Sequence, residues 1–146
     1  MLYQLLAKEL NSLVLFDPFM RKPTPGKILV VDDEPDVCYL FNRILLKRNM
    51  KAGYAGNLAE AALSVQNEVP SLIFLDNSLP DGQGIDFIPY LKLNCPDTKI
   101  VVVTANDSPV DKTHAMGKGA DDFLGKPLSL ELINRSLDRI YSVKNV

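Results

Sequence analysis

The chain has 146 residues, with 16 basic and 18 acidic side chains and a formal net charge of −2. One domain is expected at this length, and 47% apolar with 23% charged residues excludes a disordered chain. The charge balance gives no reason for nucleic acid or an anionic membrane to be a direct partner, and no apolar run nears the ~20 residues that span a bilayer. Cys38 and Cys95 have neither metal-ligand spacing nor a disulfide framework, which suits small apolar packing in a reducing cytoplasm.

Over residues 1–15, Leu2, Leu5, Leu6, Leu10, Leu13 and Val14 recur at helical spacing, with Gln4, Lys8, Asn11 and Ser12 opposite. Lys8 and Glu9 interrupt any signal-peptide core, and no small-residue cleavage site follows. An amphipathic helix is expected here, lying on its own domain, on a second copy or on a partner. Met20 as the natural start is the alternative. Arg21-Lys22-Pro23-Thr24-Pro25-Gly26 reads as a linker, which divides the chain into 1–26 and a domain over 27–146.

Strand and helix patterns then alternate. Ile28–Val31 is a strand buried on both faces, and Val37, Leu40, Phe41, Ile44 and Leu45 mark a helix face. Residues 51–56 form a second strand, and Asn57 is the N-cap of a helix carrying Leu58, Ala61, Ala62 and Val65. Residues 71–75 form a third strand ending at Asp76, and residues 77–84 have loop chemistry. A helix through Ile85, Phe87, Ile88 and Leu91 follows, then a strand over 99–103 ending at Thr104. The polar helix 108–118, a strand over 120–125 ending at Lys126-Pro127, and a helix through Leu128, Leu130, Leu132, Ile133, Leu137 and Ile140 complete the order. Five strands alternating with five helices imply a doubly wound α/β fold: a five-stranded parallel sheet of flavodoxin-like order 2-1-3-4-5, preceded by the extra helix.

In such a sheet the ligand crevice lies outside the carboxyl ends of the strands. There the sequence puts Asp32 and Asp33, Asp76, Thr104 and Lys126. Two adjacent carboxylates at the mouth of a buried strand repel each other, and Mg²⁺ would relieve that repulsion; a solvated acidic turn that caps a helix is the other reading of residues 32–34. Three carboxylates, one hydroxyl and one ammonium on one rim make a set suited to phosphoryl groups. Acids hold the metal, one acid is the nucleophile, and the hydroxyl and ammonium grip phosphoryl oxygens.

Four motifs carry a resemblance: Val30-Val31-Asp32-Asp33-Glu34; Leu75-Asp76 through Leu79-Pro80-Asp81-Gly82-Gln83-Gly84; Val103-Thr104-Ala105; and Gly119-Ala120-Asp121-Asp122-Phe123-Leu124-Gly125-Lys126-Pro127. In order and spacing, residues 27–143 resemble the receiver domain of two-component response regulators, the CheY-like superfamily. The resemblance implies that Asp76 is the phosphoacceptor. It implies Mg²⁺ ligation by Asp33, Asp76 and the main-chain carbonyl of Ser78, with Asp32 behind them holding a metal-bound water. It assigns Thr104 and Lys126 to phosphoryl oxygens, suggests a cis bond before Pro127, and makes Phe123 the aromatic whose rotamer follows phosphorylation. Ser78 and Asn106 would flank the phosphoryl group. Asn77 and Gln83 depart from the usual pattern. His114 is expected to be solvated, and Asp81, Asp121 and Asp122 to be loop and strand-start acids.

The expected function is a cytoplasmic phosphorelay switch rather than a turnover enzyme. A sensor histidine kinase or histidine phosphotransfer protein would supply the phosphoryl group. A protein target would read the face of the fourth helix, fifth strand and fifth helix, with no direct nucleic acid or membrane contact and with a homodimer left open. Whether the chain stands alone or is a fragment is also left open. A phosphorylation-independent interaction module with the same fold is the alternative. An aspartate-nucleophile phosphatase of the haloacid dehalogenase type would need an acid at position 78, where the chain has Ser, and a flavin carrier needs no acid pair.

Overall fold

The computed structural model describes residues 21–106 and 108–142, together with Leu2 and Leu5. Strand β1 (Thr24–Val31) is followed by α1 (Pro35–Lys47), β2 (Lys51–Ala55), α2 (Leu58–Asn67) and β3 (Pro70–Asp76). A short pair, β4 (Ser78–Leu79) and β5 (Gly82–Gln83), leads into α3 (Gly84–Asn94). β6 (Lys99–Thr104), α4 (Pro109–Lys118), β7 (Asp122–Gly125) and α5 (Leu130–Ser142) complete the chain order. The main sheet is parallel throughout, in the order β2-β1-β3-β6-β7. With the antiparallel β4–β5 pair left out of the count, this is the expected 2-1-3-4-5.

Period-two alternation along β1 divides the core. Ile28 and Val30 face α1 and α5, in a cluster with Phe41, Phe74, Ile133 and Leu137. Leu29 and Val31 face α2, α3 and α4, with Val65, Phe87, Leu91 and Ala115. Phe41 and Phe74 meet at 4.6 Å between ring centroids, and Phe87 stacks on Tyr90 at 5.0 Å. Each fully buried Phe contributes about 1.5–3 kcal/mol by transfer from water. Both layers therefore clamp the central strands, and the carboxyl ends of those strands are fixed with them.

Capping follows local chemistry. Asn57 accepts from Glu60 N at 2.8 Å, and Ser108 accepts from Asp111 N at 3.2 Å, so each closes a helix start. α2 has no basic residue in its last turn, and Arg21 supplies one from outside, donating to Val65 O at 2.8 Å and Gln66 O at 2.9 Å.

Three expectations change. β1 begins at Thr24, inside the stretch read as linker. Thr24 pairs with Pro70, the register shifts before Ile28, and Gly26 takes φ +74° at the irregularity. The loop over 77–84 contains the small β4–β5 ladder. The last strand starts at Asp122 rather than at residue 120. The amphipathic helix over 1–15 lies outside the described residues, apart from Leu2 and Leu5, which are helical and exposed.

Candidate functional site

Parallel strands put their carboxyl ends on one edge, and register aligns them there. Val31 lies opposite Leu75, Asp76 opposite Val103, and Thr104 opposite Gly125. Asn77 N donates to Val103 O at 2.9 Å and Lys126 N to Thr104 O at 2.8 Å, extending the ladder one residue past the strands. Asp32 follows β1, Asp76 and Thr104 end β3 and β6, and Lys126 follows β7.

Carboxylate oxygens of Asp32, Asp33 and Asp76 all lie within 4.8 Å of one another. Asp32 and Asp76 are 4% and 3% exposed, whereas Asp33 is open to solvent. Lys126 Nζ reaches the two buried acids and Glu34. It lies 3.1 Å from Asp32 Oδ2 and 3.6 Å from Asp76 Oδ1, and it donates to Glu34 Oε1 at 2.7 Å. Backbone amides add to the rim: Glu34 N donates to Asp32 Oδ1 at 2.9 Å and Ser78 N to Asp76 Oδ1 at 3.3 Å. Thr104 is buried, and its hydroxyl accepts from Asn106 N at 3.1 Å. The Lys126–Pro127 bond is cis.

Burial dominates the electrostatics. It pushes the Asp76 carboxyl up to about 6, aided by the charge of Asp32 and opposed by Lys126. Burial raises Asp32 as well, against the Glu34 amide and the Lys126 ammonium. For Lys126, burial favours the neutral form, but hydrogen bonds to Glu34 and Asp32 and the charge of Asp76 outweigh it, so the ammonium is held well above the usual lysine range. The rim thus concentrates negative charge beyond what one lysine offsets. Three hard oxygen donors packed this closely, two of them resisting ionisation, fit a divalent cation such as Mg²⁺.

Phe123 is half-buried on β7, opposite Val102, and packs against the α2–α3–α4 side of the core. His114 is exposed on α4, as expected. Sequence reasoning missed four contributors. Glu34, read only as part of a helix-opening turn, is the closest acceptor of Lys126. Asn77, noted only as a departure, caps α3 by accepting from Ile85 N at 2.9 Å. Asp81 bonds the first amides of α2. Asp122 is a strand-start acid, but it is buried and ties β7 to α5 through Ser136 Oγ at 3.1 Å and Arg139 Nη1 at 2.9 Å. Beside the acids runs a groove of about 500 Å³ bordered by Val37, Leu40, Ala105, Lys126 and Leu128.

A doubly wound sheet with buried acids and a lysine gathered at its carboxyl edge is the architecture of CheY-like receiver domains. The chain belongs to that family: the model for the response regulator receiver domain matches residues 28–138. Among curated relatives it is similar to the response regulator protein PilR of Pseudomonas aeruginosa, 36% identical over 71% of this chain and 23% of the relative. It is also 34% identical to the KDP operon transcriptional regulatory protein KdpE of Escherichia coli, over 70% of this chain and 45% of that one. The chain therefore spans less than half the length of these relatives. Among solved structures it resembles the beryllofluoride-activated NtrC4 receiver domain dimer, with TM-score 0.76, 32% identity, and coverage of 80% of this chain and 97% of that one. It also resembles a Burkholderia pseudomallei response regulator with a phosphorylated aspartic acid, calcium ion and citrate, with TM-score 0.71, 29% identity, and coverage of 82% and 71%.

Proposed function

We propose that this receiver domain takes a phosphoryl group onto Asp76 and signals through contact with another protein. The observation that carries the reading is the convergence of Asp76, Asp32, Asp33 and Lys126 on one edge of the sheet. Two similar structures support the reading, one named as a beryllofluoride-activated receiver domain and one as holding a phosphorylated aspartic acid.

Asp33, Asp76 and the Ser78 carbonyl would hold Mg²⁺, with Asp32 behind them. When bound, the cation supplies the positive charge that lets an anionic donor approach an anionic carboxylate. With its carboxyl at about 6, Asp76 is mostly ionised at neutral pH and has an electron pair to give. One of its oxygens forms the bond to phosphorus as the bond from phosphorus to the donor breaks, and the donor nitrogen or oxygen keeps that electron pair. A phosphohistidine on a sensor kinase or phosphotransfer protein, seated in the groove along Val37, Leu40 and Leu128, is the donor this geometry suits. Lys126 then turns from the carboxylates to a phosphoryl oxygen, and the Thr104 hydroxyl donates to another. Drawing Thr104 inward opens space beside β7, which Phe123 fills. The α4–β7–α5 face, with Val110 and Met116 exposed, is altered for a protein target.

Intact-mass analysis after incubation with acetyl phosphate and Mg²⁺ tests this. One added phosphoryl group is expected on the parent and none on Asp76→Asn. A parent that stays unmodified, with no chemical-shift response to beryllofluoride, ends the reading.

A further inference from the structure

The first free amides of α2 are closed by a side chain from the loop that follows Asp76. Asp81 Oδ1 accepts from Leu58 N at 2.8 Å, and its Oδ2 accepts from Ala59 N at 3.0 Å. The next amide, Glu60 N, is taken by Asn57 within the same helix start, and Gly56 N donates to Glu60 Oε2 at 2.8 Å. The start of α2 is thus shared between a local cap and a carboxylate 22 to 23 residues away. A negative group also suits the positive end of the helix dipole.

α2 is a firm support for such a contact. Leu58, Ala61, Ala62 and Val65 are fully buried, and Arg21 holds the other end through the Val65 and Gln66 carbonyls. The loop it supports is slight by comparison. β4 and β5 have two residues each, pairing Ser78 with Gln83 and Leu79 with Gly82, and Asp81 sits at the tip. A ladder this short is marginal without outside support. Asn77 and Gly84 anchor its base, through Gly84 N to Asn77 O at 3.1 Å and Ile85 N to Asn77 Oδ1, whereas Asp81 anchors its tip.

We propose that Asp81 is a positioning residue for the cation: by fastening the β4–β5 tip to the first turn of α2, it holds the Ser78 main chain where its carbonyl completes the set of Asp33 and Asp76. The inference rests on the metal assignment made for the proposed function. A supporting residue of this kind acts on affinity through the ligand it orients, and removing one weakens metal binding by about 10- to 100-fold.

The test compares the full chain with Asp81→Ala, Asp81→Asn and Asn57→Ala. Mg²⁺ affinity is read by NMR titration, and amide exchange of residues 78–83 is read in EDTA. Asp81→Ala should bind Mg²⁺ about tenfold more weakly, at the low end of that range, and exchange faster across the β4–β5 ladder. Asp81→Asn keeps one acceptor oxygen and should recover part of both. Asn57→Ala removes a cap from the same helix without touching the loop, so it should lower the melting temperature and leave Mg²⁺ affinity unchanged. Parent-like affinity in Asp81→Ala overturns the proposal, and so does an equal loss in Asn57→Ala. A parent with no Mg²⁺ affinity removes this inference together with the reading beneath it, whereas a parent that binds normally beside an unaffected Asp81→Ala removes this one alone.

Discussion

Replacing Asp76 with Asn should make the metal-free protein more stable, by an amount that depends on pH. In the folded protein, burial and the Asp32 charge hold the Asp76 carboxyl at about 6, against an ordinary 3.8. Between those values the folded state binds more protons than the unfolded one, so stability falls as pH rises through the window. A shift of about 2 units corresponds to about 3 kcal/mol lost once Asp76 is fully ionised. Asn has no charge to bury and keeps an oxygen for the Ser78 amide, which now donates to Asp76 Oδ1. Urea unfolding in EDTA should therefore find Asp76→Asn about 3 kcal/mol more stable at pH 7.5, roughly 10 °C in melting temperature for a domain of this size. Near pH 4 the difference should nearly vanish, because the parent carboxyl is then neutral too. Saturating Mg²⁺ should narrow the gap at pH 7.5, because a cation held as proposed at Asp33 and Asp76 would stabilise the folded parent. Equal stability of the two proteins at pH 7.5, or a gap of the same size at pH 4, would refute the reasoning.

Lys126→Met removes the cation that Asp32 and Asp76 share. A buried charge left without its partner costs about 3 kcal/mol, so urea unfolding should show a loss of that order at pH 7.5 and a smaller one near pH 4.5, where the acids take up protons. The Asp76 carboxyl should then titrate above 6 by NMR, because the lysine charge now lowers it. Asp122→Ala should cost about 2 kcal/mol, by stranding the buried Ser136 hydroxyl and freeing Arg139. Adding Ser136→Ala should cost less in that background than alone, a coupling that a double-mutant cycle measures.

The central strands were legible because their chemistry is local. Residues 28–31, 72–75 and 100–103 are continuous apolar runs, which only a sheet covered on both faces accommodates. The cap at Asn57 is also local, and so is the convergence of strand ends, once the strand order is known; Ser108, read as the first residue of its helix, is instead the cap in front of it. What escaped depends on partners far off in sequence. Glu34 meets Lys126 92 residues later, and nothing in Glu34-Pro35-Asp36 distinguishes that role from helix-start acidity. Asp81 and Asn77 close helix starts, but neither precedes its helix directly, so a cap pattern could not find them. Pro23, Pro25 and Gly26 disguise the start of β1, because the first residues of a strand, before β2 pairs with it from Lys27 and at a register irregularity against β3, tolerate residues that otherwise mark a linker.

Gly84 and Gly117 show how far the same residue type can differ in meaning. Both lie in helices, where Ala is favoured over Gly by up to about 1 kcal/mol. A Cβ at Gly117 would meet nothing within 4 Å, so Gly117→Ala should keep most of that gain. A Cβ at Gly84 would collide with the carbonyl oxygen of Asp76 and sit 2.9 Å from Leu75 Cγ. The Leu75 side chain can turn, but the Asp76 carbonyl belongs to the β3 backbone, which pairs with β1 as far as Leu75 and with β6 at Asp76 itself. Overpacking of this kind costs about 1–3 kcal/mol, which exceeds the helix gain. Gly84→Ala should therefore destabilise the domain in urea while Gly117→Ala stabilises it, and only the former should move the amide resonances of Asp76 and Asn77. If both substitutions stabilise, α3 can shift away from β3, and the close approach of Gly84 does not set the position of Asp76.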